Sequence, residues 1–263
     1  MNVTEQTLEV WGGRLSVRVK TAGSGPPLLY FHQSAGLAID PFVSHLAEKY
    51  TVYAPELPGT SAGDPYAIHA VDELSDLVLV YEEVARKLDI SSAVLAGQSF
   101  GGMLACELAA AYPSLATKLV LLAPLGLWRE DLPVTSWMTE APEKLPGLFF
   151  HDPAGPIAQA ALKLPEEPAQ MVAAIAQRVW NNGCAGKFIW PIPDRGLRGR
   201  LHRITAPALV VWGKDDRIAP AGYAGEFSTL LSGSKVALVD ECGHLPQVEK
   251  YKETAAAVDE FLA

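Results

Sequence analysis

The sequence lacks the features that mark several classes of protein. Its three cysteines, Cys106, Cys184 and Cys242, form no disulfide framework and favour a reducing cytoplasm. No apolar run reaches the length of a membrane span, and the polar N-terminus has neither the basic start nor the apolar core of a signal peptide. We therefore expect a cytoplasmic protein with no membrane partner.

An excess of positive charge is missing too. The formal net charge is -9 at pH 7, which argues against nucleic acid as a partner. The charges are scattered along the chain, so they indicate solubility more than substrate preference. The histidines at positions 32, 45, 69, 151 and 202 show no ligand spacing, so we expect no metal site. The oligomeric state is not indicated by any pattern.

Short apolar runs and stretches of helical spacing alternate along most of the chain. They predict strands at 8–11, 15–20, 28–32, 50–54, 93–96, 118–123, 208–212 and 235–239. They predict helices near 42–47 and at 74–88, 100–112, 220–231 and 253–262. The 263 residues suffice for one large domain, and the alternation predicts an α/β fold with a doubly wound, mostly parallel sheet.

The alternation stops between residues 125 and 203. This segment is rich in proline and tryptophan, and only 157–164 and 169–180 have convincing helical spacing. We therefore expect residues 1–124 and 204–263 to form the α/β core, and residues 125–203 to be an insertion at one edge of it.

The stretch with the clearest chemical meaning is Gly97-Gln98-Ser99-Phe100-Gly101, between the predicted strand 93–96 and the predicted helix 100–112. A strand that turns this sharply into a helix crowds its backbone, and glycines on both sides of Ser99 relieve the crowding. Ser99 is then exposed in a strained conformation. The free N–H groups at the start of the helix suit a developing oxyanion.

An acid and a histidine follow two later strands. Asp215 and Asp216 come after the predicted strand 208–212, and His244 comes after the strand 235–239. Catalytic groups of open α/β sheets collect beyond the carboxyl ends of strands. The order serine, acid, histidine is typical of α/β-hydrolase triads. The alternative is that the two acids are solvated or cap the next helix.

Four motifs, taken in order, resemble those of α/β-hydrolase-fold serine hydrolases: 32–36 (HQSAG), 56–59 (ELPG), 97–101 (GQSFG), and 213–217 (GKDDR) with Gly243-His244. The resemblance covers 7–124 and 204–263 and makes the insertion the family's variable cap. It implies Ser99 as nucleophile, Asp216 as acid and His244 as base.

The resemblance also implies an oxyanion hole, formed by the backbone N–H of Phe100 and of a residue just after His32. The family usually has glycine after that histidine, and here Gln33 takes its place. Either Gln33 or Ser34 therefore supplies the second donor. We expect His32 itself to brace its loop and Cys242 to be a buried filler.

These residue types fit acyl transfer. A serine hydroxyl becomes nucleophilic when an imidazole takes its proton, and a carboxylate fixes the tautomer of that imidazole. No step needs a metal or another cofactor. The aromatic residues of the insertion are candidates for an apolar acyl pocket. They are Trp128, Trp137, Phe149, Trp180 and Trp190.

The predicted function is hydrolysis of a small to medium apolar ester, thioester or lactone. One alternative is hydrolysis of a carbon–carbon bond in a ring-cleavage product, which some hydrolases of this fold perform with the same triad. The Gln33 loop and Leu245 depart from the glycine-rich loop and the tryptophan common in that group. A second alternative is a non-catalytic ligand receptor on the same fold.

Overall fold

A computed structural model describes residues 2–190 and 194–263. Its strands within these ranges are β1 (Val3–Val10), β2 (Leu15–Ala22), β3 (Pro27–Phe31), β4 (Thr51–Pro55), β5 (Ala93–Gln98), β6 (Ala116–Leu122), β7 (Ala208–Gly213) and β8 (Lys235–Val239). They form one sheet in the order β1-β2-β4-β3-β5-β6-β7-β8. The pairs β1–β2 and β2–β4 are antiparallel, and the pairs from β4 through β3 to β8 are parallel. The predicted mostly parallel sheet is confirmed.

The helices in the same ranges are α1 (Pro41–Leu46), α2 (Leu74–Lys87), α3 (Phe100–Ala111), α4 (Leu145–Phe149), α5 (Pro156–Leu162), α6 (Pro168–Ile189), α7 (Gly222–Leu230), α8 (Pro246–Glu249) and α9 (Tyr251–Leu262). Short 3-10 helices occur at Pro65–Ala70, Pro113–Leu115, Trp137–Thr139, Pro142–Lys144, Leu197–Gly199 and Leu201–Arg203. Among the residues described, no helix has both the length and the apolar character needed to span a membrane.

Helices cover both faces of the sheet. Leu77 of α2, Leu104 of α3 and Phe227 of α7 pack in one buried cluster. Phe42 of α1 and Val258 of α9 pack in a second cluster on the opposite face. Every residue of β5 and β7 is buried, which explains why these strands appear as continuous apolar runs in the sequence.

Three helices, α4, α5 and α6, lie between β6 and β7, where the insertion was predicted; positions 191–193 of that segment lie outside the described residues. Helix α6 begins at Pro168 with Glu167 as its N-cap and ends at Ile189, well beyond the predicted end at 180. Cys184, Phe188 and Ile189 of the extra turns are buried in the main core. Tertiary packing therefore carries the helix through the Asn-Asn-Gly stretch, whose helix propensity is low.

The parallel strands set the position of the site. Because β5, β7 and β8 run in the same direction, their carboxyl ends lie at one edge of the sheet. Ser99 follows β5, Asp216 follows β7 and His244 follows β8. The topology alone thus brings these three positions to the same edge.

Candidate active site

The chain turns sharply at Ser99, between β5 and α3. Ser99 has φ 56° and ψ -117°, a left-handed backbone that L side chains rarely adopt. A Cβ at position 97 would lie 2.3 Å from the carbonyl oxygen of Gly101, and a Cβ at position 101 would lie 2.0 Å from that of Phe31. Only glycine fits at both positions, so the local sequence dictates the strained turn that the motif predicts.

His244 joins the serine to an acid. Its Nε2 lies 2.8 Å from the Ser99 Oγ, and its Nδ1 lies 2.7 Å from Oδ2 of Asp216. Ser99, His244 and Asp216 are only 3%, 1% and 6% exposed. The prediction that Ser99 is exposed is therefore wrong: the turn is strained as expected, but the loops around it cover the side chain. A carboxylate only accepts hydrogen bonds, so Nδ1 carries the proton that is donated to Asp216. Nε2 is then free to accept the hydroxyl proton of Ser99.

The Asp216 carboxylate is held in one orientation by four donors. Its Oδ1 accepts from the backbone N–H groups of Ile218, at 2.8 Å, and Ala219, at 3.0 Å. Its Oδ2 accepts from the indole Nε1 of Trp212, at 3.0 Å, as well as from His244. Because the carboxylate is fixed from both sides, the imidazole that donates to it is fixed as well.

The backbone of His244 is also tied to the nucleophile turn. The side-chain Nε2 of Gln98, the residue before Ser99, donates to the carbonyl oxygen of His244 at 2.9 Å. Gln98 is fully buried. The residue between Gly97 and Ser99 thus links the turn after β5 to the loop after β8.

The backbone N–H groups proposed for the oxyanion hole belong to the start of α3 and to the loop after β3. Phe100 is the first residue of α3, so its N–H has no acceptor within the helix. Gln33 and Ser34 follow β3, the neighbour of β5 in the sheet, and neither N–H donates to another group among the described residues.

His32 has a structural position. Its Nε2 accepts from the backbone N–H of Leu57 at 3.0 Å, and its Nδ1 lies 2.6 Å from the carbonyl oxygen of Gln33. These contacts fit a neutral ring that donates from Nδ1. Burial lowers the pKa of His32 below its usual range, which also favours the neutral ring. The imidazole braces the loop that carries the candidate oxyanion donors, as the sequence predicted.

A cavity of about 470 Å³ lies beside the candidate oxyanion loop and is lined by Gln33 and Ser34. Much of the remaining lining is apolar and includes Phe149, Leu162, Leu245 and Val248. Leu245 directly follows His244, so one wall of the cavity adjoins the loop that carries the candidate base, although Ser99 and His244 are not themselves among the lining residues. Its position and lining suit the acyl part of a substrate.

The five aromatic residues proposed for the acyl pocket divide into two groups. Trp137 and Phe149 line the cavity. Trp128 packs against the main core instead, and its Nε1 donates to Glu130. Trp180 donates from Nε1 to the carbonyl oxygen of Gly59, and half of the Trp190 surface is exposed. The structure does not bring these last three tryptophans into the cavity wall.

Sequence reasoning missed five polar residues of the cavity wall: Asp40, Arg178, Asn182, Gln247 and Tyr251. The amide oxygen of Asn182 accepts from the Ser34 hydroxyl at 2.8 Å. The guanidinium of Arg178 has no hydrogen-bond or ion-pair partner among the described residues, and the buried Oε1 of Gln247 has no donor. A signal existed for Arg178, a lone cation in the helix predicted at 169–180, but helical spacing alone does not show what it faces.

Two other sequence expectations concern thiols and metals. Cys242 is fully buried, and burial raises the pKa of its thiol to about 12, so it is a packed thiol and not a nucleophile.

Within the described part of the chain, no three His, Cys, Asp or Glu side chains are grouped so that they could hold a metal ion.

The mostly parallel sheet with helices on both faces agrees with a family comparison. The chain belongs to the alpha/beta hydrolase family, whose model matches residues 23–257. The resemblance stated from the four sequence motifs is thereby confirmed.

Known members with different activities are similar to this chain. The pimeloyl-(acyl-carrier protein) methyl ester esterase of Nitrosomonas europaea is 27% identical over 252 residues, 88% of this chain and 93% of that protein. The 2-hydroxy-6-oxo-2,4-heptadienoate hydrolase of Pseudomonas putida is 25% identical over 276 residues, 97% of this chain and 95% of that protein. The crystal structure of a membrane phospholipase A, a bacterial virulence factor, superposes with a TM-score of 0.77 at 25% identity and covers 99% of this chain and 86% of that one.

Proposed function

We propose that this chain is a serine hydrolase that cleaves a small to medium apolar ester, thioester or lactone through an acyl-enzyme. The observation that carries the proposal is the hydrogen-bonded series from Ser99 through His244 to Asp216, with distances of 2.8 and 2.7 Å. A nucleophile in contact with a base, and a base in contact with an orienting carboxylate, is the arrangement that activates a serine.

In the first half of the reaction, the Ser99 Oγ bonds to the substrate carbonyl carbon while His244 Nε2 takes the hydroxyl proton. The carbonyl electron pair moves onto oxygen and forms a tetrahedral oxyanion. When the oxyanion collapses, the bond to the leaving group breaks, and that group departs with the proton from Nε2. A water molecule then repeats the sequence on the acyl-enzyme: its proton passes to Nε2, the bond from carbon to Oγ breaks, and Ser99 regains its proton.

The oxyanion is stabilised by the N–H of Phe100 and by that of Gln33 or Ser34. Backbone donors held in place by the fold need no reorganisation during the reaction. Loss of one such donor costs about 100- to 1,000-fold in kcat in a well-studied serine protease. Among the backbone groups of the site, we assign the largest contribution to catalysis to these oxyanion donors.

The proposed acyl group is apolar and of limited size. The cavity volume of about 470 Å³ and its apolar side chains support this choice. The name of the N. europaea relative, a methyl ester esterase, agrees with ester hydrolysis as the reaction type.

Arg178 favours a second candidate, hydrolysis of a carbon–carbon bond in an anionic ring-cleavage product. The Arg178 guanidinium, which has no partner among the described residues, would be matched by a carboxylate in the substrate, because the two form charge-assisted, bidentate hydrogen bonds. The P. putida relative is named for a dienoate, which carries a carboxylate. If the substrate of this chain carries a carboxylate, that carboxylate would bind at the Arg178 end of the cavity.

One experiment separates the candidates. A panel of acyl aryl esters, thioesters, lactones and dienoates is incubated with the wild type and with the Ser99→Ala variant, and a fluorophosphonate is tested for covalent labelling of both. Ester hydrolysis and labelling that are lost in Ser99→Ala support the first candidate. Turnover restricted to dienoates supports the second. If the wild type turns over none of these substrates and is not labelled, the proposal fails, and a receptor on this fold becomes the better explanation.

A further inference from the structure

A short segment of the insertion, residues 147–152, lies against both loops that carry the proposed acid and base. We call this segment the clasp. It spans the end of α4 and the residues that precede α5. Its contacts are made largely by backbone atoms, and they reach residues about 65 to 100 positions away in the sequence.

The clasp first contacts the histidine loop. The backbone N–H of His244 donates to the carbonyl oxygen of Phe149 at 2.8 Å. The preceding residue, Gly243, is packed so closely that a Cβ there would lie 2.4 Å from the same oxygen. The approach of the clasp to His244 is thus a backbone-to-backbone contact that tolerates no side chain at position 243.

The carboxylate of Glu249, at the end of α8, joins the clasp to the same loop a second time. Its Oε2 accepts from the N–H of Gly243 at 2.6 Å. Its Oε1 accepts from the N–H groups of His151 at 2.8 Å and Asp152 at 3.3 Å. Glu249 is only 9% exposed, so these three bonds to a carboxylate form away from bulk water and are correspondingly strong.

The clasp also holds the acid loop, on both sides of Asp216. On one side, Oδ2 of Asp215 lies 2.8 Å from Nδ1 of His151. On the other side, Arg217 donates from Nη1 to the carbonyl oxygens of Gly147 at 2.7 Å and Phe150 at 3.2 Å. Asp215 and Arg217, the two neighbours of the proposed acid, therefore both contact the clasp. The clasp also contacts the backbone of His244, the proposed base.

We propose that Glu249 and His151 are positioning residues, through which the clasp sets the geometry of the Asp216–His244 pair. Neither side chain contacts Ser99 among the described residues, so each acts through the loops it holds. A displacement of about 1 Å in a catalytic group can cost on the order of 100-fold in rate. The inference rests on the proposed function, because it assigns these residues a role in activating Ser99.

The test compares three variants and one control variant with the wild type. Glu249→Gln keeps the shape of the side chain but sets an amide N–H₂ against backbone donors. His151→Ala removes the contact to Asp215, and His151→Gln restores a donor there. Glu241→Gln is the matched control, because Glu241 is an exposed residue near His244 whose carboxylate contacts only Lys250 among the described residues. The measurements are the rate constant for fluorophosphonate acylation of Ser99, kcat and KM for an aryl ester, and the melting temperature.

We expect Glu249→Gln to slow acylation at least tenfold and His151→Ala to slow it at least threefold, with KM within about twofold of wild type. His151→Gln should recover part of the loss, and Glu241→Gln should match the wild type. Acylation within threefold of wild type in both Glu249→Gln and His151→Ala overturns the proposal, even if the melting temperatures fall. If Glu249→Gln does not fold, the His151 variants decide by the same threshold. A wild type that is not labelled at all refutes the proposed function, and this inference with it.

Discussion

The carboxylates of the adjacent residues Asp215 and Asp216 bind two different histidines. Oδ2 of Asp216 lies 2.7 Å from Nδ1 of His244, whereas Oδ2 of Asp215 lies 2.8 Å from Nδ1 of His151. Asp216 is buried, but the side chain of Asp215 is 39% exposed. Since successive side chains on this loop point in different directions, only Asp216 is placed to orient the imidazole beside Ser99.

The first prediction separates these two acids. Asp216→Asn should lower kcat by about 10,000-fold, as the equivalent change does in serine proteases, because the imidazole loses the charge that fixes its tautomer. Asp215→Asn should lower kcat by less than tenfold, because an amide oxygen can still accept from His151. Steady-state kinetics of both variants on one ester, with melting curves beside them, provide the measurement. A larger loss of kcat in Asp215→Asn would move the acid one residue upstream.

The second prediction concerns the size of the acyl cavity. Ala161 lines the cavity and lies at an exposed position of α5, so a larger side chain there can project into the cavity without disturbing the core. Ala161→Phe should lower kcat/KM for an eight-carbon acyl ester relative to an acetyl ester by about tenfold, the lower end of what a single methylene contributes to specificity in an apolar pocket.

The neighbouring residue provides the control for the cavity. Ala160 is exposed on the same helix but does not line the cavity. Ala160→Phe should leave the ratio of the two ester rates unchanged. Equal ratios in Ala161→Phe and the wild type would mean that the acyl chain binds elsewhere.

The third prediction tests the backbone crowding at the serine turn. Gly101→Ala should destabilise the fold by more than about 2 kcal/mol, because its Cβ would lie 2.0 Å from the carbonyl oxygen of Phe31. Gly183→Ala is the control: the site lies inside α6, and a Cβ there meets nothing within 4 Å. That change should stabilise the protein by about 0.5 to 1 kcal/mol, the helix-interior advantage of alanine over glycine. Urea unfolding of both variants gives the comparison, and a Gly101→Ala variant as stable as wild type would contradict it.

The features predicted from sequence are those that local chemistry determines. The turn at Ser99 follows from two glycines four residues apart, and the sheet follows from apolar runs that alternate with helices. The positions of Asp216 and His244 at one edge follow from strand order. Each of these inferences uses residues that are close in the sequence, or the general rule that parallel strands align their carboxyl ends.

The features that were missed depend on contacts between distant parts of the chain. The extra turns of α6 exist because Phe188 packs in the core, which overrides the weak helix propensity of the preceding asparagines. Trp190 has a large apolar side chain, yet half of the residue's surface is exposed and it does not line the cavity. Whether an aromatic, or a cation such as Arg178, faces a cavity depends on the path of the insertion, which neither periodicity nor composition determines.

The last prediction concerns pH and follows from the burial of His32. Burial lowers the pKa of this imidazole in the folded state, whereas in the unfolded chain it titrates at about 6.5. Below about pH 6.5 the unfolded chain therefore binds a proton that the folded chain does not bind. The free energy of unfolding should fall as the pH falls through this range, with a slope of at most about 1.4 kcal/mol per pH unit from this group. Above about pH 7 neither state binds the proton, and the contribution vanishes.

His32→Asn removes the titrating group and retains a side-chain amide that can donate to the carbonyl oxygen of Gln33. The variant should be less stable than wild type at pH 7.5, because the N–H of Leu57 loses its acceptor at a buried site. Its deficit should shrink at pH 5.5, by at most about 1.4 kcal/mol, since the wild type alone incurs the protonation penalty of His32. Urea unfolding at the two pH values, with His202→Asn as a control at an exposed histidine, measures the difference. A deficit of the same size at pH 7.5 and pH 5.5 would show that the buried imidazole does not drive the acid sensitivity, and that the ring is protonated as readily in the folded protein as in the unfolded chain.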